Sequence, residues 1–167
     1  PGVGIHASTG SLGHGLGIAA GQALAEKIRG SDVRIYVLLS DGECQEGSTW
    51  EVAMVAANLR LDNLIVVIDH NDFGGMDRMS EVHPALAPLI DKLLAFGWYC
   101  RDASGHDSLE ILGSIKMLQM QGAGLKPSVV VCKTVKGRGV SFMESAPLWH
   151  YRSPDAEEYE RALEELT

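Results

Sequence analysis

Apolar and polar positions along the chain alternate between two periods. Over residues 11–29, Leu12, Leu16, Ala19, Ala20, Ala23, Leu24 and Ile28 fall on one stripe at helical spacing. The same spacing returns over Ser48–Arg60 through Val52, Val55, Ala56 and Leu59, and again near Leu86–Phe96. It recurs over Ser108–Gln121, where Asp107 stands ready to cap a helix, and a charged segment, Pro154–Leu166, reads as a terminal helix. Between these stretches lie short apolar runs. Val33–Leu39, Leu64–Ile68 and Ser128–Lys133 predict buried strands, and Trp98–Arg101 a shorter one. Strands alternating with helices predict an α/β fold, a mostly parallel sheet with helices on both faces. NDFGGMDRM at 71–79 and the stretch 136–154 have neither period and read as loops. No repeat or linker divides the chain, so a single domain over residues 1–167 is expected.

Candidate chemistry sits at the ends of two of the predicted strands. In SDGECQEGSTWEVAMVAANLRLDNLIVVIDHND, Asp41 follows the first strand and Asn71 the second, with a helix between them. Strands joined through a helix run parallel, so both side chains belong to the edge where open α/β sheets bind ligands. One carboxylate and one amide oxygen cage a bare Mg²⁺ poorly but suit a Mg²⁺ shared with a diphosphate. Gly42 would let backbone approach a phosphate closely. Asp-Gly and Asn-Asp taken singly are ordinary turn pairs; their placement after two successive strands is the specific signal.

Charge narrows the field. With 22 acidic and 14 basic residues the formal net charge is −8, which argues against general affinity for nucleic acid or anionic membrane. An anionic ligand therefore needs a local site or a metal. Cys44, Cys100 and Cys132 lack metal-ligand spacing and suit a reducing cytoplasm. No apolar run reaches the length of a membrane span, and the first residues do not form a signal peptide. The absence of an initiating Met fits a chain that begins inside a longer product.

Taken together, these segments resemble the diphosphate-binding domain of thiamine diphosphate enzymes, and specifically the transketolase family. STGSLGHG at 8–15, DGECQEGSTWEVAMVA at 41–56 and KTVKGRGVSFMESAPLWH at 133–150 are similar to family segments, so the resemblance covers nearly the whole chain. It is strongest to the N-terminal subunit of split transketolases. It implies that Asp41 and Asn71 are ligands of Mg²⁺ (or Ca²⁺), with the main-chain carbonyl of Phe73 as a third. Gly42 would hold the diphosphate through backbone N–H groups, Gly10 and Leu12 would line the cofactor wall, and His150 would reach the catalytic centre. Glu46 would sit at the interface with a pyrimidine-binding C-terminal half or subunit. The implied activity is two-carbon ketol transfer between sugar phosphates, by an oligomer whose isolated diphosphate half is inactive.

Several features depart from the family pattern. Ser40 replaces the first Gly of Gly-Asp-Gly, GGMDRM displaces an Asp of the metal loop, and Tyr151-Arg152 follows His150. A helical N-terminal segment with a Gly-His-Pro motif has no counterpart here. Of the remaining histidines, His14 is expected to keep a polar contact or cap a helix start, and His6 to be solvated. His70 is expected to point away from the metal by strand alternation, and His83 and His106 to be structural. Three alternatives stand beside the main reading. A dinucleotide site at GLGIAA, 15–20, lacks a preceding strand. A non-catalytic or truncated interaction protein could retain the fold. A related enzyme such as 1-deoxyxylulose-5-phosphate synthase or a 2-oxo acid dehydrogenase component shares the metal motif.

Overall fold

The computed structural model describes residues 4–122 and 125–167. Helix α1 (Gly15–Arg29) leads into strand β1 (Ile35–Ser40), a 3-10 turn at Gly42–Gln45, helix α2 (Gly47–Asn58) and strand β2 (Leu64–His70). A two-residue hairpin, β3 (Phe73–Gly74) with β4 (Asp77–Arg78), precedes the short helices α3 (Met79–Val82) and α4 (Leu89–Ala95). Strand β5 (Tyr99–Ser104), helix α5 (Ser108–Gly122), strand β6 (Ser128–Lys133) and helix α6 (Ala156–Leu166) complete the order. The four long strands form one parallel sheet, β1-β2-β6-β5, as the alternation of periods predicts.

The two sheet faces are covered unequally. On one, α1, α2 and α4 bury Leu39, Val66, Ile68, Val129 and Val131 with Trp98. On the other, α5 covers Ala103, Val130 and Cys132 through Leu118. Nothing among the described residues covers β1 on that second face, where Leu38 is 71% exposed. Gln119 of α5 reaches across, donating from Nε2 to the Tyr36 hydroxyl at 2.7 Å. The expectation that the first strand is buried on both faces is therefore corrected: β-branched and apolar composition marks a strand but cannot say whether a covering layer follows. Trp98 anchors the covered face, 2% exposed, with its indole N–H donating to Ala53 O at 2.9 Å. Trp98→Ala should cost about 3–5 kcal/mol of stability, read as a lowered urea midpoint.

Element boundaries shift where glycine and capping chemistry intervene. The first helix starts at Gly15, not residue 11, because Gly13 takes a left-handed φ of 77° that ends any helical run. Asp107 does cap α5, accepting from the amides of Leu109 at 2.9 Å and Glu110 at 3.1 Å. Asp155 and Glu158 make a reciprocal capping box at the start of α6. That helix ties down the long 136–154 loop, which contains one unforeseen 3-10 turn, Pro147–His150. Ser141 donates through its amide and, at 2.8 Å, its hydroxyl to Glu165, while Arg152 pairs with Glu158.

Candidate functional site

Strand register assembles the site. Ser40 lies opposite Asp69, Asp69 opposite Cys132, and His70 opposite Lys133, so three strands end level. The residues just beyond, Asp41, Asn71 and Thr134, share one rim and line a cavity of about 330 Å³ with His70, Ser80 and His83. Asp41 is 1% exposed. Its Oδ1 accepts from the Gly42 amide at 2.9 Å and its Oδ2 from the Asp72 amide at 2.7 Å. Burial pushes its carboxyl above the ordinary value, against those two amides and the nearby His70. The His70 Nε2 lies 3.8 Å from Asp41 Oδ2, so the ring faces the carboxylate instead of turning away as alternation suggested. At a strand's last residue a long side chain can curl over the sheet edge, where pleat no longer dictates direction.

The second rim segment is shaped by Asp72. This residue holds a left-handed φ of 68°, which aspartate tolerates better than most side chains. Its carboxylate accepts from the Ser80 amide and hydroxyl, both at 2.8 Å, and pairs with Arg78 at 3.4 Å. Burial works to raise this carboxyl, but the Ser80 and Arg78 contacts outweigh it and hold it below its usual range. The chain turns so that the Phe73 amide donates to Asn71 Oδ1 at 3.0 Å. The Phe73 carbonyl packs against Gly42: a Cβ at residue 42 would meet Phe73 O at 3.2 Å and Gly74 Cα at 3.1 Å. A side chain at 42 would thus crowd the backbone of the Asn71 loop, a reason for glycine beyond the expected approach of a phosphate.

A third segment, residues 9–15, is fastened to the same floor. Glu43, unremarkable in the sequence, is buried and accepts from the Gly13 amide at 2.9 Å. Ser48 donates to Gly13 O at 2.9 Å. Gly10 and Leu12 stand on the solvent side of this loop, and Glu46 is exposed beside it. His14 keeps a polar contact, its Nδ1 lying 3.0 Å from Leu12 O, and makes no side-chain cap. A Cβ on Gly13 would stand 2.3 Å from Ser48 Oγ and 2.8 Å from Glu46 Cβ. Gly13→Ala should therefore cost about 2 kcal/mol or more, from left-handed strain and overpacking together, measured by urea unfolding.

His150 comes from the long loop and is exposed. Its Nδ1 lies 3.1 Å from the Lys136 ammonium. An ammonium can only donate, so Nδ1 accepts and the neutral ring keeps its hydrogen on Nε2. Phe142 and Trp149 meet edge to face at 5.4 Å and stiffen the loop, with Arg152 over the Trp149 ring. Tyr151, unexpected after His150, projects its hydroxyl to the β3–β4 hairpin, within 3.0 Å of where a Cβ on Gly75 would lie. His106 braces the start of the loop, its Nε2 accepting from the Val135 amide at 2.7 Å.

The donor set defines what could bind. Among the described residues no group of three His, Cys, Asp or Glu side chains could hold a metal. A cation at this rim would rely on the Asp41 carboxylate, the Asn71 amide oxygen and the Phe73 carbonyl, all hard oxygens. That set is too small for Mg²⁺ alone and fits Mg²⁺ completed by diphosphate and water oxygens. Among the described residues no helix is long and apolar enough to cross a membrane.

Comparisons with known proteins agree with this fold. The chain is 42% identical over 163 residues to an apulose-4-phosphate transketolase subunit from Actinobacillus succinogenes, covering 98% of this chain and 58% of that protein. It is 40% identical over 164 residues to the 6-deoxy-6-sulfo-D-fructose transketolase subunit SqwG of a Clostridium species, again 98% of this chain and 58% of the relative. The chain thus spans somewhat over half the length of these relatives. Transketolase from Campylobacter jejuni superposes with a TM-score of 0.84 at 27% identity, covering 98% of this chain and 26% of that one. A family model described as transketolase, thiamine diphosphate binding domain, matches residues 2–162, and with the parallel sheet and its oxygen-lined rim in view, the chain belongs to the transketolase family.

Proposed function

We propose that this chain is the diphosphate-anchoring half of a two-chain transketolase, transferring a two-carbon ketol unit between sugar phosphates. The observation that carries the reading is the buried Asp41 carboxylate, set beside the Asn71 loop with the Phe73 carbonyl packed against Gly42. Asp41, Asn71 and the Phe73 carbonyl would hold Mg²⁺, and the Gly42 backbone would stand beside the diphosphate. Thiamine diphosphate, when bound, would supply the carbanion stabilisation that ketol transfer requires. The chain's own residues bind and orient. The loop 9–15, fixed by Glu43 and Ser48, presents Gly10 and Leu12 as a wall for the cofactor. Glu46 stands exposed beside that wall, facing the pyrimidine-binding chain in this reading. His150, with its Nε2–H free of Lys136, can donate to a phosphate or a substrate hydroxyl.

The intact oxygen donor set and the subunit names of the relatives support this reading over a non-catalytic protein that merely retains the fold. We place the assembly in the cytoplasm, since the three cysteines of this chain are unpaired. The test is reconstitution: the chain in its full-length protein, mixed with a pyrimidine-binding partner chain, Mg²⁺ and thiamine diphosphate, assayed for transfer from a ketose phosphate to an aldose phosphate. Turnover that requires both chains is expected. A complex that binds the cofactor and transfers nothing would reject the activity, and one that binds none would reject the site.

A further inference from the structure

We propose that Asp69, backed by Thr134, is a positioning residue that fixes which end of the Asn71 amide faces the metal-binding rim; the inference rests on the site reading above. Asp69 is the penultimate residue of β2 and none of the ligand roles falls on it. Its main-chain carbonyl accepts from the Asp41 amide at 3.0 Å, and its Oδ2 accepts from Asn71 Nδ2 at 3.0 Å. The Thr134 hydroxyl donates to the other oxygen, Oδ1. Asp69 therefore touches all three rim residues, Asp41 through its backbone and Asn71 and Thr134 through its side chain.

The logic is one of donors and acceptors. An ionised carboxylate has no hydrogen to give, so the end of the Asn71 amide that meets it must be the NH₂. That leaves Oδ1 on the opposite side, where the Phe73 amide already donates to it at 3.0 Å. A carbonyl oxygen has two lone pairs, so one remains for a cation. The reversed amide would set its oxygen against the Asp69 carboxylate and its NH₂ against the Phe73 N–H. It would then offer the metal a hydrogen-bearing nitrogen. Thr134 holds Asp69 in place for this: it extends β6 past Lys133, and its amide donates to His70 O at 3.1 Å. Groups that orient a ligand in this way commonly change metal affinity by about 10–100-fold when removed.

The experiment titrates Mg²⁺ at fixed thiamine diphosphate into the full-length protein with its pyrimidine-binding partner, following cofactor uptake by calorimetry. Asp69→Ala should raise half-saturating Mg²⁺ by about 10–100-fold. Asp69→Asn, which keeps one acceptor oxygen, should recover most of that loss, and Thr134→Val should show a rise of severalfold. Melting of the cofactor-free protein is recorded in parallel, because a merely structural residue would lower that midpoint and leave half-saturation alone. Unchanged half-saturation in folded Asp69→Ala and Thr134→Val overturns the inference. If Asp69→Ala does not fold, the near-isosteric Thr134→Val decides alone: a rise supports positioning and wild-type half-saturation refutes it. A wild-type complex that takes up no Mg²⁺ and cofactor, or an Asp41→Ala complex that takes them up normally, sinks the site reading itself.

Discussion

Asp41→Ala is expected to abolish Mg²⁺-dependent binding of thiamine diphosphate while leaving the parallel sheet folded. Among the described residues Asp41 is the one buried carboxylate lining the rim, and without it the proposed ligand set keeps only the neutral oxygens of Asn71 and Phe73. The substitution also frees the Gly42 and Asp72 amides, but the Asn71 loop keeps other fastenings. The Met79 amide still donates to Asp72 O at 3.0 Å, and Ser80 still holds the Asp72 carboxylate. Calorimetric titration of the assembled protein, with circular dichroism of the mutant, checks both halves of the expectation. Retained cofactor affinity in a folded mutant would remove the metal site.

A pH signature accompanies it. Burial raises the Asp41 carboxyl in the cofactor-free fold above its value in the unfolded chain. The folded state therefore favours the protonated form, and this contribution to stability is full below the unfolded value and lost as pH climbs through the raised folded one. The cofactor-free wild type should lose stability over that interval relative to Asp41→Ala. The difference between their urea midpoints, followed with pH, isolates the single group.

His150→Ala should lower kcat/KM of the reconstituted enzyme by roughly 10²–10⁴-fold, the range of a positioned acid–base group. The fold should survive, because the imidazole is exposed and the loop is held by other residues. Trp149 still donates to Phe142 O at 2.9 Å, and Glu165 still accepts from Ser141. Lys136 would lose this acceptor, so part of the effect comes from freeing its ammonium. Ketol transfer with saturating cofactor is the assay. Wild-type turnover in the mutant would reduce His150 to a surface residue.

Residue patterns predict the sheet and the rim better than they predict what holds the rim together. β2 and β6 are apolar on both faces and are legible as runs, and Asp41 and Asn71 follow because parallel strands must end on one edge. Glu43 and Asp69 carry no comparable signal. Each works through a partner distant in sequence, Gly13 for one and Thr134 for the other, and a carboxylate in a loop or at a strand end looks the same whether it is solvated or fastened. β1 misleads for the converse reason. Tyr36 and Leu38 are apolar enough for a core, yet their covering layer is not among the described elements. The hairpin at 73–78 is invisible in the sequence because each of its strands has only two residues, below any period.

The placement of Leu12, half exposed on the outer side of the glycine loop at 50%, has a thermodynamic consequence. In the proposed reading, a cofactor resting on this wall and closed in by a second chain would bridge two macromolecules. Equilibrium linkage then requires reciprocity: the factor by which the second chain tightens the cofactor equals the factor by which the cofactor tightens the second chain. Chelating the cation would loosen the assembly as surely as diluting it, and at low protein concentration the two chains would part as the vitamin-derived ligand is withdrawn. Assembly of the two halves would then follow cofactor supply with no separate sensor.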